Sequence, residues 1–448
     1  GDAGGTAASA RADASWPAGP AAQGPAAQGP AESPARPESP ARPESPPSGL
    51  AVPASREIEL AAGVAACARA DGFAEGPDGR GIELLRPVAS LKDSVLWEAA
   101  FVYYVFEQAE GTVAAVSVGY LDKGYRNAGN GSYEGLITTV DLTRRVRGRA
   151  AQVPQRLDRM AEALRLSEEE LERKVERCTR RHCPVCSCGS SRLERIAAQP
   201  AGADLSPHQQ IQVEALRTGR PHIDYEAVRS FLEGLEYPLY FLDFEAFSEA
   251  VPSLAGVAPW EHVPVIYSLE RIDAPGEEST HAVYAADPKA DGRPALFADL
   301  ASRLGDTGSI IVYGKGFERR MLERLARAPG VAAGDGALLE NIVARLVDLS
   351  ALFNRFHYYH PRQQGSASLK AVYRALTGRD YADLHVADGR AANVFYYFLR
   401  HGFPDGHDVP GEAGGDWRGV LENLKHYCSL DTTAMIRILE HVSAVVRK

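Results

Sequence analysis

Nowhere in its 448 residues does the chain carry an apolar run close to the roughly 18 residues of a membrane span. Its first residues have neither the charged start nor the apolar core of a signal peptide. Cysteine is scarce, at six residues, which argues against a secreted disulfide scaffold in so long a chain. Basic charge is in deficit: 49 Lys and Arg against 59 Asp and Glu leave a net charge of −10. There is thus no global positive field to coat nucleic acid nonspecifically, although bound cations can invert the sign of an acidic site. The chain opens on Gly1 rather than Met, so a natural start is expected upstream. The expected compartment is the cytoplasm.

What is present divides into three stretches. Residues 1–55 are mostly Ala, Pro, Gly, Ser and Glu, with the short repeats "GPAAQGPAAQGP" and "ESPARPESPARPESP". Such a segment buries too little to offset the entropy of ordering, and a disordered tail is expected. Residues 56–200 turn globular. "VLWEAAFVYYVFEQAEG" predicts a buried helix and "TVAAVSVGYLD" a strand, and the turn-rich "GYRNAGNGSYEG" leads to "LITTVDL". A helical stretch runs from about Pro154, and its second part opens on a capping box, Ser167 with Glu170. Four cysteines close this stretch: Cys178, Cys183, Cys186 and Cys188. Residues 201–448 predict mixed α/β structure. Strands are expected at Leu239–Phe244, Val263–Leu269 and Ile310–Val312. The expected helices are Glu226–Leu235, Ala295–Leu304, Phe317–Arg327, Ser368–Leu376, Ala391–Leu399 and Val420–Val446.

Chemistry concentrates in this last stretch. "YFLDFEAF" reads as a buried strand, yet Asp243 and Glu245, two apart, project from the same face. Hard cations such as Mg²⁺ or Mn²⁺ would turn two repelling carboxylates into ligands; the alternative is an end-of-strand cap or an Arg pair. Glu318 sits in the first turn of a helix after "IIVYGKG", where the helix dipole favours a carboxylate. In "NLKHYCSLDTTAMIRIL", Tyr427 and Asp431 are four apart and share a helix face. Lys315, Arg319 and Arg320 either meet phosphates or form a solvated helix face. Asp348 reads as a structural strand-end acid, and His357, His360 and Lys370 lie in a segment open to a groove role. Cys67 and Cys428 read as isolated buried thiols.

Taken in order, "LDFEAF", "YGKGFERRML" and "YCSLD" resemble the three motifs of the DEDD superfamily of 3′→5′ exonucleases, which share a ribonuclease H-like fold. "YPLYFLDFEAF", "VDLSALF", "YYHPRQQGSASLKAVYRAL" and "YCSLDTTAM" resemble more closely one bacterial branch of unknown function, over about residues 223–448. The resemblance implies a two-metal phosphodiesterase acting on DNA or RNA ends. Asp243, Glu245, Glu318 and Asp431 would hold two Mg²⁺ or Mn²⁺ ions, which activate water and stabilise the leaving oxygen. Tyr427 would orient the attacking water, with His426 as the alternative, because a sister subgroup places His five residues before the Asp. Glu318 stands where the superfamily usually has Asp, and Gly314 where relatives usually have Asn.

The four cysteines point to a bound metal, against the alternative of a flexible, partly oxidised or vestigial loop. With "SLKDSVLWEAAFVYYVFEQAEGTVAAVSVGYLDKGYRN" and "VDLTRRV", they resemble the back half of a RecB-like nuclease of the PD-(D/E)XK type, and this resemblance implies zinc or an iron–sulfur cluster. Glu83 is present but no Glu-x-Lys follows it in "IELLRPVASLKD". This half is therefore expected to have lost nuclease activity, or its start, and to persist as a DNA-guiding or scaffold element. Two other readings stand beside the exonuclease: a noncatalytic nucleic-acid adapter, and acids that serve only as structural ion-pair partners.

Overall fold

Four strands absent from the sequence expectations build the start of the structure. The computed structural model describes residues 54–60, 64–77, 79–170, 205–331, 336–379, 389–402 and 417–447. Of the two units into which the chain divides, Gly1–Leu50 falls outside these residues, and Ala51–Lys448 carries all that follows. The low-complexity tail and the four clustered cysteines likewise lie outside the described residues.

β1 (Ala54–Leu60) and β2 (Val64–Ala70) form an antiparallel hairpin. β3 (Gly72–Gly76), β4 (Gly79–Arg86), β5 (Val116–Leu121) and β6 (Ile137–Asp141) form a four-stranded sheet in chain order. Only its β4–β5 pair is parallel. Parallel neighbours need a long crossover, which α1 (Asp93–Glu110) supplies. Its inward face buries Leu96, Ala99, Tyr103 and Phe106 against Ile82, Leu84 and Val118. α2 (Thr143–Ala150) and α3 (Val153–Leu164) complete this layer. The expected capping box forms beyond α3: Ser167 N–H donates to Glu170 at 2.9 Å, and Glu170 N–H to Ser167 Oγ at 3.3 Å. Cys67 is exposed rather than buried. It alternates on β2 with the buried Ala66 and Ala68, so the pleat turns it outward.

After α4 (Pro207–Thr218), the short β7 (His222–Ile223) and α5 (Tyr225–Glu233) comes the second sheet. Its strands are β8 (Leu239–Phe247), β9 (Val263–Ile272), β10 (Thr280–Ala285), β11 (Ile310–Val312) and β12 (Leu346–Asp348). They run in the order β10-β9-β8-β11-β12, and only β9 opposes the others. Between and after them lie α6 (Arg293–Arg303), α7 (Lys315–Ala326), α8 (Gly336–Ala344), α9 (Ala351–Asn354) and the short β13 (Tyr358–Tyr359). α10 (Leu369–Thr377), α11 (Gly389–His401) and α12 (Trp417–Val446) follow. The architecture is mixed α/β, with helices on both faces of the second sheet.

β8 is the central strand and is covered on both sides, which explains its near-continuous apolar character. Tyr240, Leu242 and Phe244 pack with Leu296, Met321 and Leu322 of α6 and α7. Phe241, on the opposite face, packs with Val372 of α10 and Met435, Ile438 and Val442 of α12. Asp243 and Glu245 share the parity of Phe241, so they point toward α12. The two sheets meet through the loop after β5. There the Gly256 N–H donates to the Asn127 carbonyl at 2.8 Å, and Asn127 N–H to that of Val257 at 3.0 Å. Among the described residues no helix is long and apolar enough to cross a membrane.

Candidate metal centre

The strand supplies the first two acids and the last long helix the third. Asp243, Glu245 and Asp431 each present a carboxylate oxygen within 4.8 Å of the others. Two full charges about 5 Å apart repel by roughly 3 kcal/mol at an effective dielectric near 20. Burial adds a desolvation cost. Asp243 is consequently held well above the usual carboxylate range, by burial first and then by Asp431, Glu318 and Glu245. Burial and Asp431 push Glu245 up to about 8, against the pull of Lys370.

Glu318 reaches this group from another direction. β11 runs parallel to β8, pairing Ile310 with Tyr240 and Ile311 with Phe241. The turn after β11 therefore emerges beside Asp243, at the carboxyl end of β11. In its first helical turn Glu318 is buried, and its Oε2 has no hydrogen-bond partner. It stands outside the 4.8 Å group, yet burial and the charges of Glu245, Asp431 and Asp348 drive its carboxyl well above the usual range. Among the described residues the Asp243–Glu245–Asp431 group is the one set able to hold a metal ion. The donors are all hard oxygen ligands, and an orphaned buried oxygen lies beside them. This set fits Mg²⁺ or Mn²⁺ better than zinc, which favours nitrogen and sulfur.

Tyr427 lies one turn before Asp431 on α12 and is buried. Burial, then Asp431, Glu245 and Asp243, hold its hydroxyl above its usual range, so it keeps its proton. His426 is exposed, being rotated about 100° away on the helix. Lys370 places its ammonium 4.6 Å from the centre of the Tyr427 ring.

Two further residues belong to the centre. Cys428 is buried, and its thiol donates to the Asp243 carbonyl at 3.7 Å and to Asp243 Oδ2 at 3.6 Å. Its spacing of three from Asp431 places both on one helix face, which is the signal in the sequence that shows it. Asp348 holds the turn that carries Glu318. Its carboxylate accepts from the N–H groups of Gly314 and Lys315, both at 3.1 Å, and from Ser350 Oγ at 2.6 Å. The Gly314 N-cap has φ 113 and makes no side-chain cap, so Asp348 caps α7 from the neighbouring strand. Asp348→Ala should lower stability by about 1–3 kcal/mol, read from the urea midpoint, with Asp348→Asn in between.

The other candidates have structural duties. Lys315 Nζ donates to the Leu346 carbonyl at 2.6 Å, and Arg319 pairs with Glu323 at 2.8 Å. His357 meets Asp224 at 3.3 Å, and His360 Nδ1 accepts from the Arg362 N–H at 3.1 Å. Glu83 is exposed on β4, and the neighbouring Asp71, which the sequence did not single out, is bound by Arg86 at 2.5 Å and by the Leu85 N–H at 2.9 Å.

Residues 240–368 match a family described as a domain of unknown function (DUF2779). The matched segment is under a third of the chain. It includes Asp243, Glu245, Glu318 and Asp348, and ends before Tyr427 and Asp431. No curated protein matches the chain.

Proposed function

We propose that the chain is a divalent-metal-dependent phosphodiesterase that removes nucleotides from the 3′ ends of DNA or RNA. One observation carries this reading. Acids from a central strand and a distant helix converge within 4.8 Å, and a fourth lies buried beside them with an unsatisfied oxygen. A fold tolerates such repulsion where a cation relieves it. The resemblance to DEDD exonucleases supports the reaction class and the direction of cutting. The sheet, with only its second strand reversed, supports the ribonuclease H-like reading.

Asp243, Glu245, Glu318 and Asp431 would hold two Mg²⁺ or Mn²⁺ ions, which when bound supply Lewis acidity and lower the pKa of water. The chain's own groups do the rest. Tyr427 keeps its proton and offers a hydrogen bond that orients the attacking water. Lys370, beside Tyr427 and close enough to act on Glu245, supplies a counter-charge for a phosphate oxygen. Cys428 fixes the Asp243 carboxylate, and Asp348 fixes the turn bearing Glu318.

The N-terminal sheet is proposed as a remnant of a RecB-like nuclease. Leu85 stands two residues after Glu83, where such a nuclease has Lys, and Asp71 is consumed by Arg86. Cys178, Cys183, Cys186 and Cys188 are proposed, on their clustering and the RecB-like resemblance, to bind zinc or an iron–sulfur cluster. A visible absorbance band separates the two.

The test is digestion of end-labelled DNA and RNA with and without Mn²⁺, beside Tyr427→Phe and Asp431→Ala proteins. Metal-dependent shortening from the 3′ end, slowed in the first variant and lost in the second, is the expected result. Binding without degradation would replace this reading with the adapter. Full activity in Tyr427→Phe with loss in His426→Ala would move the water-orienting role to His426.

A further inference from the structure

We propose that a cleft between the two sheets is the path by which a single nucleic-acid strand reaches the acid centre, an inference that rests on the phosphodiesterase reading above. The cleft has a volume of about 680 Å³ and opens where the loop after β5 faces α7. In a chain of net charge −10, its lining holds six Lys and Arg against two Glu. Arg293 is taken by Asp291 at 2.6 Å, and Arg324 by Glu261 at 3.4 Å. Lys123, Arg126, Arg320 and Arg327 form no salt bridge among the described residues. Arg126 donates only to the carbonyls of Lys123 and Tyr125, both at 2.8 Å.

The placement of these cations is built in. Asn127, buried between the sheets, donates from Nδ2 to the Pro252 carbonyl at 2.5 Å. This anchors the loop and sets Lys123 and Arg126 on one wall. On the other wall stand Arg320, on α7, and Arg327, the residue that caps its C-terminal end, seven residues apart and roughly 10 Å by helix rise. Glu318 precedes Arg320 by two residues, and the Arg320 charge reaches its carboxyl. None of the four acids lines the cleft itself, but α7 carries Glu318 in its first turn, so a strand passing from Arg327 to Arg320 runs toward the end of the helix that bears it.

Trp260 chooses the single strand over the duplex. It lines the cleft with 43% of its surface exposed, and its φ of 57 is rare for a residue other than glycine. Its indole N–H is already satisfied by the Pro87 carbonyl at 2.7 Å, which leaves the ring available for stacking. An exposed indole among unpaired cations suits bases that have left the stack, at about 1–3 kcal/mol per base.

Binding of a labelled single-stranded oligonucleotide, followed by anisotropy in EDTA, tests this without any hydrolysis. Lys123→Ala/Arg126→Ala should weaken binding on the order of 20-fold at 0.1 M salt and reduce the salt slope by about 0.7 for each phosphate no longer neutralised. Arg327→Ala, on the opposite wall, should reduce the slope by about 0.7, the share of a single phosphate. Oligonucleotide should also quench tryptophan fluorescence in the parent protein, and less so in Trp260→Phe. Unchanged slopes in both charge variants, no binding by the parent, or equal competition by polyglutamate would overturn the proposal. Altered slopes without any metal-dependent cutting by the parent would keep the cleft and remove the phosphodiesterase reading.

Discussion

Asp243→Asn should lower metal-dependent nucleotide release by on the order of a thousandfold while leaving the fold intact. The side chain keeps its size, so packing around β8 has little reason to change. What disappears is one negative charge at the point where the strand, the β11 turn and α12 converge. Asp243 feels Asp431, Glu318 and Glu245 together, so it is the electrostatic hub of the four. Single-turnover digestion with saturating Mn²⁺ measures the loss, and unchanged circular dichroism excludes unfolding. A fall of less than tenfold would remove Asp243 from the reaction and, with it, the proposed chemistry.

The second large effect concerns stability without metal. Carboxyl groups whose folded pKa is raised favour the fold when protonated, and this is lost as pH rises toward the folded value. For Glu245 that window runs from the ordinary carboxylate range near 4 up to about 8. Metal-free protein should therefore melt at progressively lower temperature from about pH 5 to pH 8. Below pH 4 the opposite class takes over, since Asp299, held low by its Arg303 hydrogen bonds, loses its stabilising charge there. Mn²⁺ at 100-fold its dissociation constant should add about 2.7 kcal/mol at pH 8, a rise of roughly 3–5 °C for a unit of this size. Glu318→Gln removes one of the repelling charges. It should raise the metal-free melting temperature at pH 8 and shrink the Mn²⁺ shift. A variant less stable than the parent without metal, or a parent indifferent to Mn²⁺, would show that the acids are structural partners.

Much of the centre is legible in the sequence because its spacing follows local periodicity. Asp243 and Glu245 are one pleat apart, and Tyr427 and Asp431 one helical turn apart, so each pair can be assigned a shared face. The strands Leu239–Phe247 and Val263–Ile272 extend the expected ones by a few residues. Other features arise only from long-range pairing. β10, "THAVYA", is half-exposed and weakly apolar, and gains its identity by pairing with β9. α2, "TRRVRGRA", is too polar to announce a buried face, yet Val146 and Ala150 are buried. Asp348 reads as structural and is, but its partners are the backbone of a turn 33 and 34 residues earlier. The basic cleft assembles from a loop near residue 126 and a helix near residue 320, a juxtaposition that no periodicity displays.

The late position of Asp431 has a consequence for the cell that makes the chain. Asp243 and Glu245 leave the ribosome nearly two hundred residues before their helical partner. A polypeptide whose synthesis stalls anywhere in between carries an incomplete set of acids and no α12 to seat them. On the phosphodiesterase reading, the proposed metal centre would therefore be complete only once the last long helix has been threaded into place.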